Sequence, residues 1–174
     1  AYLVMEHLDG ETLRRTISMG PQALESALAL LRPVCDAVDA AHRAGVIHRD
    51  LKPENIMIVR DPSAPLRAGH DARMTPRVLD FGLAKLTGPI GEDDATQVQS
   101  GQSAGIVGTL MYMAPEVLSG HVADARSDQY SLAIIAYEML VGEHPLGMAT
   151  DLAAVVRGHT DLPLDHSENI WVVK

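Results

Sequence analysis

Residues 46–59 read VIHRDLKPENIMIV and set a histidine, an arginine, two acids, a lysine and an asparagine between apolar runs. A carboxylate placed in such a loop can orient a hydroxyl and take its proton. A nearby cation can offset negative charge that develops during a reaction. The stretch is therefore either a solvated turn between two strands or a catalytic loop that the strands hold rigid.

Period and punctuation indicate the elements that must position it. AYLVM at 1–5 has the β-propensity and apolar continuity of a buried strand, and HLDGE breaks it, with Gly10 as the turn residue. A long helix is expected from Pro21, since proline suits a first helical position, to a cap at Gly45. Leu24, Leu28, Leu31, Cys35, Val38 and His42 step along it by four and three, and this stripe makes Cys35 and His42 core or core-edge residues. IMIV (56–59) and RVL (77–79) read as short strands, with a polar, Pro-rich surface loop between them. The stretch from Thr87 to about Ser103 is too rich in Gly, Ser, Thr and acid to order itself unaided. SDQYSLAIIAYEMLVG (127–142) is apolar nearly all round, which predicts a helix buried at the centre of a domain and stopped by Gly142. DLAAVVRG makes a shorter, weaker helix, and no internal repeat or coiled-coil register is present.

With 174 residues, 47% of them hydrophobic, the chain can bury a core and forms one domain or part of one. A net charge of −9 and a pI near 5.2 argue against a nucleic-acid or anionic-membrane partner. The single cysteine, Cys35, excludes an internal disulfide framework and fits a reducing compartment. No apolar run approaches the roughly 20 residues of a membrane span. The eight histidines show no ligand spacing, so no zinc site is expected. Ala1 lies inside an apolar run, without an initiator Met or signal-peptide pattern, and reads as a strand cut from something larger.

Three motifs follow one another in order. HRDLKPEN occupies 48–55, LDFGLAK occupies 79–85 and GTLMYMAPE occupies 108–116, with the hydrophobic helix after them. Together they resemble the C-terminal lobe of a eukaryotic-type protein kinase over about residues 1–160, and the wording MEHLDGETL is most similar to the bacterial Ser/Thr kinases. The resemblance implies an α+β fold, mainly helical, with short β-strands at the catalytic cleft. It further implies ATP-dependent phosphoryl transfer to Ser or Thr of a protein substrate, with ATP and Mg²⁺ as cofactors.

Phosphoryl transfer passes through a loose transition state, so the protein mainly positions groups and balances charge. By resemblance, Asp50 accepts the proton of the substrate hydroxyl, Lys52 offsets charge at the γ-phosphate, and Asn55 and Asp80 hold Mg²⁺. His48 and Phe81 are implied to be structural, Phe81 setting the pose of Asp80, and Asp128 to brace the catalytic loop. Lys52 and Thr109 match the Ser/Thr-specific pattern. VMEHL resembles a hinge that pairs with adenine: Met5 guards the pocket, Glu6 and Leu8 present backbone groups, and Met57 forms the apolar floor. Arg49 before the catalytic Asp implies an activation segment ordered by phosphorylation. Ser103 is the first candidate for that phosphate, with Ser100 and Thr96 behind it.

Departures from the pattern lie at the ends and at one internal position. The Gly-rich loop, strand Lys and helix Glu of an N-terminal lobe are missing, and so is an Arg to pair with Glu116. Residues 1–174 are therefore expected to be an incomplete kinase domain, hinge and C-terminal lobe, lacking the N-terminal lobe of the same chain and the last helices. Such a piece alone is expected to have little activity. The tail DLPLDHSENIWVVK reads either as the approach to a late helix or as foreign sequence, and Ala133 stands where the family usually has Gly. The competing reading is an inactive truncated remnant that acts as a binding module; a small-molecule phosphotransferase fits the GT…APE segment worse. The expected location is the cytoplasm, with relatives often tethered to a membrane through a separate segment.

Overall fold

The computed structural model describes residues 6–60, 74–81, 108–147 and 152–161. Three strands, β1 (Gly10–Thr12), β2 (Ile56–Arg60) and β3 (Met74–Val78), form an antiparallel sheet with β2 in the middle. Among the described residues they are accompanied by the helices α1 (Leu13–Ser18), α2 (Leu24–Arg43), α3 (Pro115–Leu118), α4 (Ala125–Val141) and α5 (Leu152–Asp161). The class is α+β. The strand expected at 1–5, the loops at 61–73 and 87–103, and the tail at 162–174 lie outside the described residues.

β2 is central because its sequence, IMIVR, is β-branched and apolar, with Ile56, Ile58 and Val59 all buried. It pairs Gly10 with Val59 on one side and Ile56 with Val78 on the other. Gly10 is thus a strand residue and not the expected turn. A Cβ there would stand 2.3 Å from the carbonyl oxygen of Ile58, so the close approach of β1 to β2 requires glycine. β3 begins at Met74 rather than at Arg77 and contains Pro76, opposite Ile58. Among the described residues β3 has β2 on one side only, and an edge strand accommodates a residue without an N–H.

The long helix starts at Leu24, three residues after Pro21. The N–H of Gln22 is donated to the carbonyl of Met139 (2.7 Å), which docks this entry segment on the end of α4 instead of letting it begin the helix. Its buried line is Ala27, Leu30, Leu31, Val34 and Val38. Leu24, the first residue of the expected stripe, is 56% exposed, and Leu28 and Cys35 are only half-buried, so the buried face is rotated from the expected one. The helix ends as the glycine indicated: Gly45 is left-handed (φ 77°), its N–H goes to His42, and that of Val46 to Ala41. This pair of hydrogen bonds closes the last turn in a Schellman motif.

α4 is capped by Asp124, whose carboxylate accepts from the amides of Arg126 and Ser127 while Ser127 Oγ accepts from the Asp124 N–H. It stops at left-handed Gly142 (φ 83°). Ile134, Ile135 and Met139 are buried, but Tyr137, Leu140 and Val141 are exposed, so the helix is not enclosed on every side as its composition suggested. The main core joins these α4 residues to Leu13 and Ile17 of α1, the buried line of α2, Leu51, Ile56, Ile58 and Tyr112. A smaller cluster of Leu110, Met113 and Val155 packs with Val117, Leu118 and Leu146.

Replacing Gly10 by Ala forces β1 away from β2. The expected loss is about 1–3 kcal/mol, the usual cost of overpacking. It is read as a lower urea midpoint, and an unchanged midpoint would contradict the close approach.

Candidate active site

The loop that carries the polar cluster hangs between the end of α2 and the start of β2. Apolar pegs hold its spine: Leu51 is 1% exposed, Pro53 is buried, and Ile56 is fully buried. Pro53–Asn55 form a 3-10 turn that delivers the chain into β2. The sharpest feature is Arg49, with φ at 70°, where an ordinary side chain is disfavoured by about 1–2 kcal/mol. Asp128 of α4, itself 1% exposed, keeps it there. One oxygen of its carboxylate accepts from the Arg49 N–H (2.9 Å), the other from the His48 N–H (2.8 Å), and His42 Nε2 lies 2.7 Å from that second oxygen.

His48 is buried and bound at both ring nitrogens. Nδ1 accepts from the Asp50 N–H (3.3 Å), which leaves Nε2 as the donor to the Leu79 carbonyl (2.8 Å). Its ring lies 4.8 Å from that of Phe81, tilted by 55°. The segment after β3 is therefore tied to the loop by a side chain, and by backbone as well, since the Leu79 N–H donates to the Asn55 carbonyl (2.8 Å). Asp80 follows, exposed and left-handed (φ 58°).

Asp50, Lys52, Asn55 and Thr109 meet in one hydrogen-bonded group. Lys52 Nζ contacts both Asp50 oxygens (3.0 and 3.2 Å) and donates to Thr109 Oγ1 (2.9 Å). Asn55 Nδ2 donates to the Asp50 carbonyl (2.8 Å) and lies 3.3 Å from its Oδ2. With its amide nitrogen so committed, Asn55 keeps its oxygen as the acceptor it can offer. A carboxylate, a cation and an amide oxygen thus share one spot, with the Asp80 carboxylate on the tied segment. Among the described residues no three His, Cys, Asp or Glu come together to hold a metal. A hard ion bound here would rely on one or two protein oxygens and complete its shell elsewhere.

The remaining expected residues lie apart from this group. Glu116, on α3, is exposed, and its Oε1 is 3.3 Å from Ser127 Oγ at the start of α4. Met57 is half-buried on β2, in register with Thr12 and Arg77. Glu6 is exposed and Leu8 half-buried in the segment before β1. Met5, Ser103, Ser100 and Thr96 lie outside the described residues.

Four residues beside the group were not singled out from sequence: Arg14, Tyr112, Ser131 and Glu138. Tyr112 follows Thr109 by three residues; its carbonyl accepts from Ser131 Oγ (2.7 Å) and its hydroxyl donates to Glu138 (2.5 Å). Burial first, and then the bond to Glu138, push the Tyr112 phenol well above its ordinary value. Burial also works against the charge on Arg14, but hydrogen bonds to Glu138 and Glu54 outweigh it and raise its pKa. Tyr130, on α4, is pushed up to about 12 by burial and by the charge of Glu116. The only sequence signal was a glutamate inside an apolar helix, a residue type that is seldom buried unless it is paired.

A model of the protein kinase domain matches residues 1–169. The serine/threonine-protein kinase Pkn1 of Myxococcus xanthus is 43% identical over 157 residues, 88% of this chain. The serine/threonine-protein kinases PknB of Mycolicibacterium smegmatis and of Mycobacterium leprae are 38% and 39% identical, each over 83% of this chain. The chain spans 20% of the length of each of these relatives. No helix among the described residues is long and apolar enough to cross a membrane.

The two raised phenols set an alkaline limit. Above the ordinary phenol value of 10 the unfolded chain releases protons that folded Tyr112 and Tyr130 keep, so stability present below pH 10 is lost as pH rises toward 12. The urea midpoint should fall between pH 9 and pH 11; replacing Tyr130 by Phe should lessen the fall.

Proposed function

This chain belongs to the protein kinase family, and on that premise we propose that it transfers the γ-phosphoryl group of ATP to Ser or Thr hydroxyls of protein substrates. The reading rests on one observation above others: Asp50, Lys52 and Thr109 are joined through a single ammonium group while Asn55 clamps the same carboxylate residue. The names of the relatives, each a serine/threonine-protein kinase, support it.

In this reading Asp50 orients the acceptor hydroxyl and takes its proton as the oxygen–phosphorus bond forms. Asn55 Nδ2, which donates to the Asp50 carbonyl, and His48 Nδ1, which accepts from the Asp50 N–H, hold its backbone, while Lys52 holds its carboxylate. Lys52 sets a positive charge beside that carboxylate, where the negative charge of the phosphoryl group must pass. Thr109 carries Lys52 on its far side and so links the activation segment to the loop. The Asn55 oxygen and the Asp80 carboxylate are hard donors that suit Mg²⁺, which when bound neutralises phosphate charge. Met57, Glu6, Leu8 and Met5 are assigned to the adenine side, the first as apolar floor. Ser103, Thr109 and Glu116 are assigned to the activation segment, and Arg49 of the loop to pair with a phosphate on Ser103.

The described residues are read as the C-terminal lobe of the kinase fold, and residues 1–174 as hinge plus that lobe, with an N-terminal lobe supplied by the same protein. A reaction that consumes ATP requires a nucleotide-bearing compartment, which assigns the chain to the cytoplasm.

The direct test is Asp50→Asn in the full-length protein, followed by transfer of labelled γ-phosphate to dephosphorylated casein. Loss of the proton acceptor should slow transfer by about a hundred- to ten-thousand-fold with little change in the unfolding midpoint. Equal rates for the two proteins would sink the assignment.

A further inference from the structure

A half-buried set of charged and phenolic groups gathers around one side chain of α1. Arg14 Nη1 lies 2.6 Å from Glu138 Oε1, its Nε lies 2.7 Å from Glu54 Oε1, and its Nη2 donates to the Tyr112 hydroxyl. Its guanidinium carbon stands 5.7 Å from the centre of the Tyr112 ring. Glu138 is 8% exposed in its side chain, and Arg14 is the cation paired with it. The three partners come from α4, from the 3-10 turn between Lys52 and β2, and from the stretch after Thr109. Leu13 and Ile17, both buried, anchor α1 on either side of the arginine.

Tyr112 is the member with a view of the chemistry. With Arg49, Asp50, Leu51, Thr109, Met113 and Ser131 it lines one small pocket. Ser131 fixes its backbone and the Arg14–Glu138 pair fixes its hydroxyl, so the wall it forms is held at both ends. Three partners in three directions demand the planar fork of arginine, since a lysine ammonium is a single point of charge.

We propose that Arg14 is a positioning residue for the protein acceptor, acting through Tyr112 to hold the wall of the pocket beside Asp50. This rests on the phosphoryl-transfer reading and adds to it a residue on α1 that no motif contains. Without Arg14 the buried Glu138 carboxylate has lost its cation and must take a proton or admit water. Either change alters its bond to the Tyr112 hydroxyl and loosens the wall, while the adenine side is untouched.

The test uses full-length protein with Arg14→Met, Arg14→Lys and the double variant Arg14→Met/Glu138→Met. With dephosphorylated casein as acceptor, Arg14→Met should raise the acceptor KM by about ten-fold and leave the KM for ATP within about two-fold, with Arg14→Lys in between. The double variant, which removes both charges, should recover the unfolding midpoint but not the acceptor KM. Amide hydrogen exchange, which needs no turnover, should quicken about ten-fold at Tyr112 and Met113 in Arg14→Met and stay unchanged in α2. The proposal is overturned if both KM values stay as they were, or if the double variant restores acceptor KM and midpoint together, the mark of a merely structural pair. A wild-type protein that transfers no phosphate removes the acceptor role along with the function it rests on. The exchange arm then reports separately whether Arg14 holds Tyr112.

Discussion

Arg49 remains in a left-handed conformation because the carboxylate of Asp128 takes both its amide and that of His48, and the arrangement of the loop follows from that contact. A buried carboxylate that accepts three hydrogen bonds is expensive to desolvate, so it is a poor choice for stability alone. What it provides is direction. With the two amides turned toward α4, the chain must reverse at Arg49, and Asp50 emerges on the side where Lys52 and Asn55 can reach it. His48 then does for the segment after β3 what Asp128 does for the loop: one ring nitrogen takes the Asp50 amide and the other holds Leu79. Two polar contacts made by buried side chains thus tie the loop that carries Asp50 to the segment that carries Asp80.

α4 serves as the reference for all of this. Its first turn supplies Asp128, its second Ser131, and its fourth Glu138, and each holds a different part of the site: loop backbone, Tyr112 carbonyl and Tyr112 hydroxyl. The helix can do so because its own ends are well defined, with a reciprocal cap at Asp124 and a left-handed glycine at 142. Asp128, Ser131 and Glu138 face inward beside Ile134, Ile135 and Met139, while Tyr137, Leu140 and Val141 face out, so polarity does not sort its faces as in an ordinary amphipathic helix.

Much of the site was legible because its chemistry is local. Asp50, Lys52 and Asn55 fall within six residues, so their types and spacing could be read together, although the conformation that joins them depends on Asp128. Helix ends were legible where glycine announced them, at Gly45 and Gly142. Gly10 misled for a physical reason: glycine serves turns and close backbone approaches equally, and only the partner strand, nearly fifty residues away, decides between them. Leu24 misled because an apolar residue in the first turn of a helix fits a stripe on paper, whereas here the entry segment bonds to α4 and leaves it in solvent. Arg14 was not legible at all. Its partners lie 40, 98 and 124 residues away, and no period or motif links positions so distant.

The same separations govern the order in which the protein can come into being on the ribosome. Asp128 is made 80 residues after His48, and at a synthesis rate of about 5–20 residues per second the loop waits roughly 4–16 s for the carboxylate that shapes it. During that interval α2 and the β2–β3 pair can form from local contacts, but Arg49 has no reason to reverse the chain. The nascent polypeptide therefore carries all of the loop's polar residues before it has their geometry, which arrives only with α4.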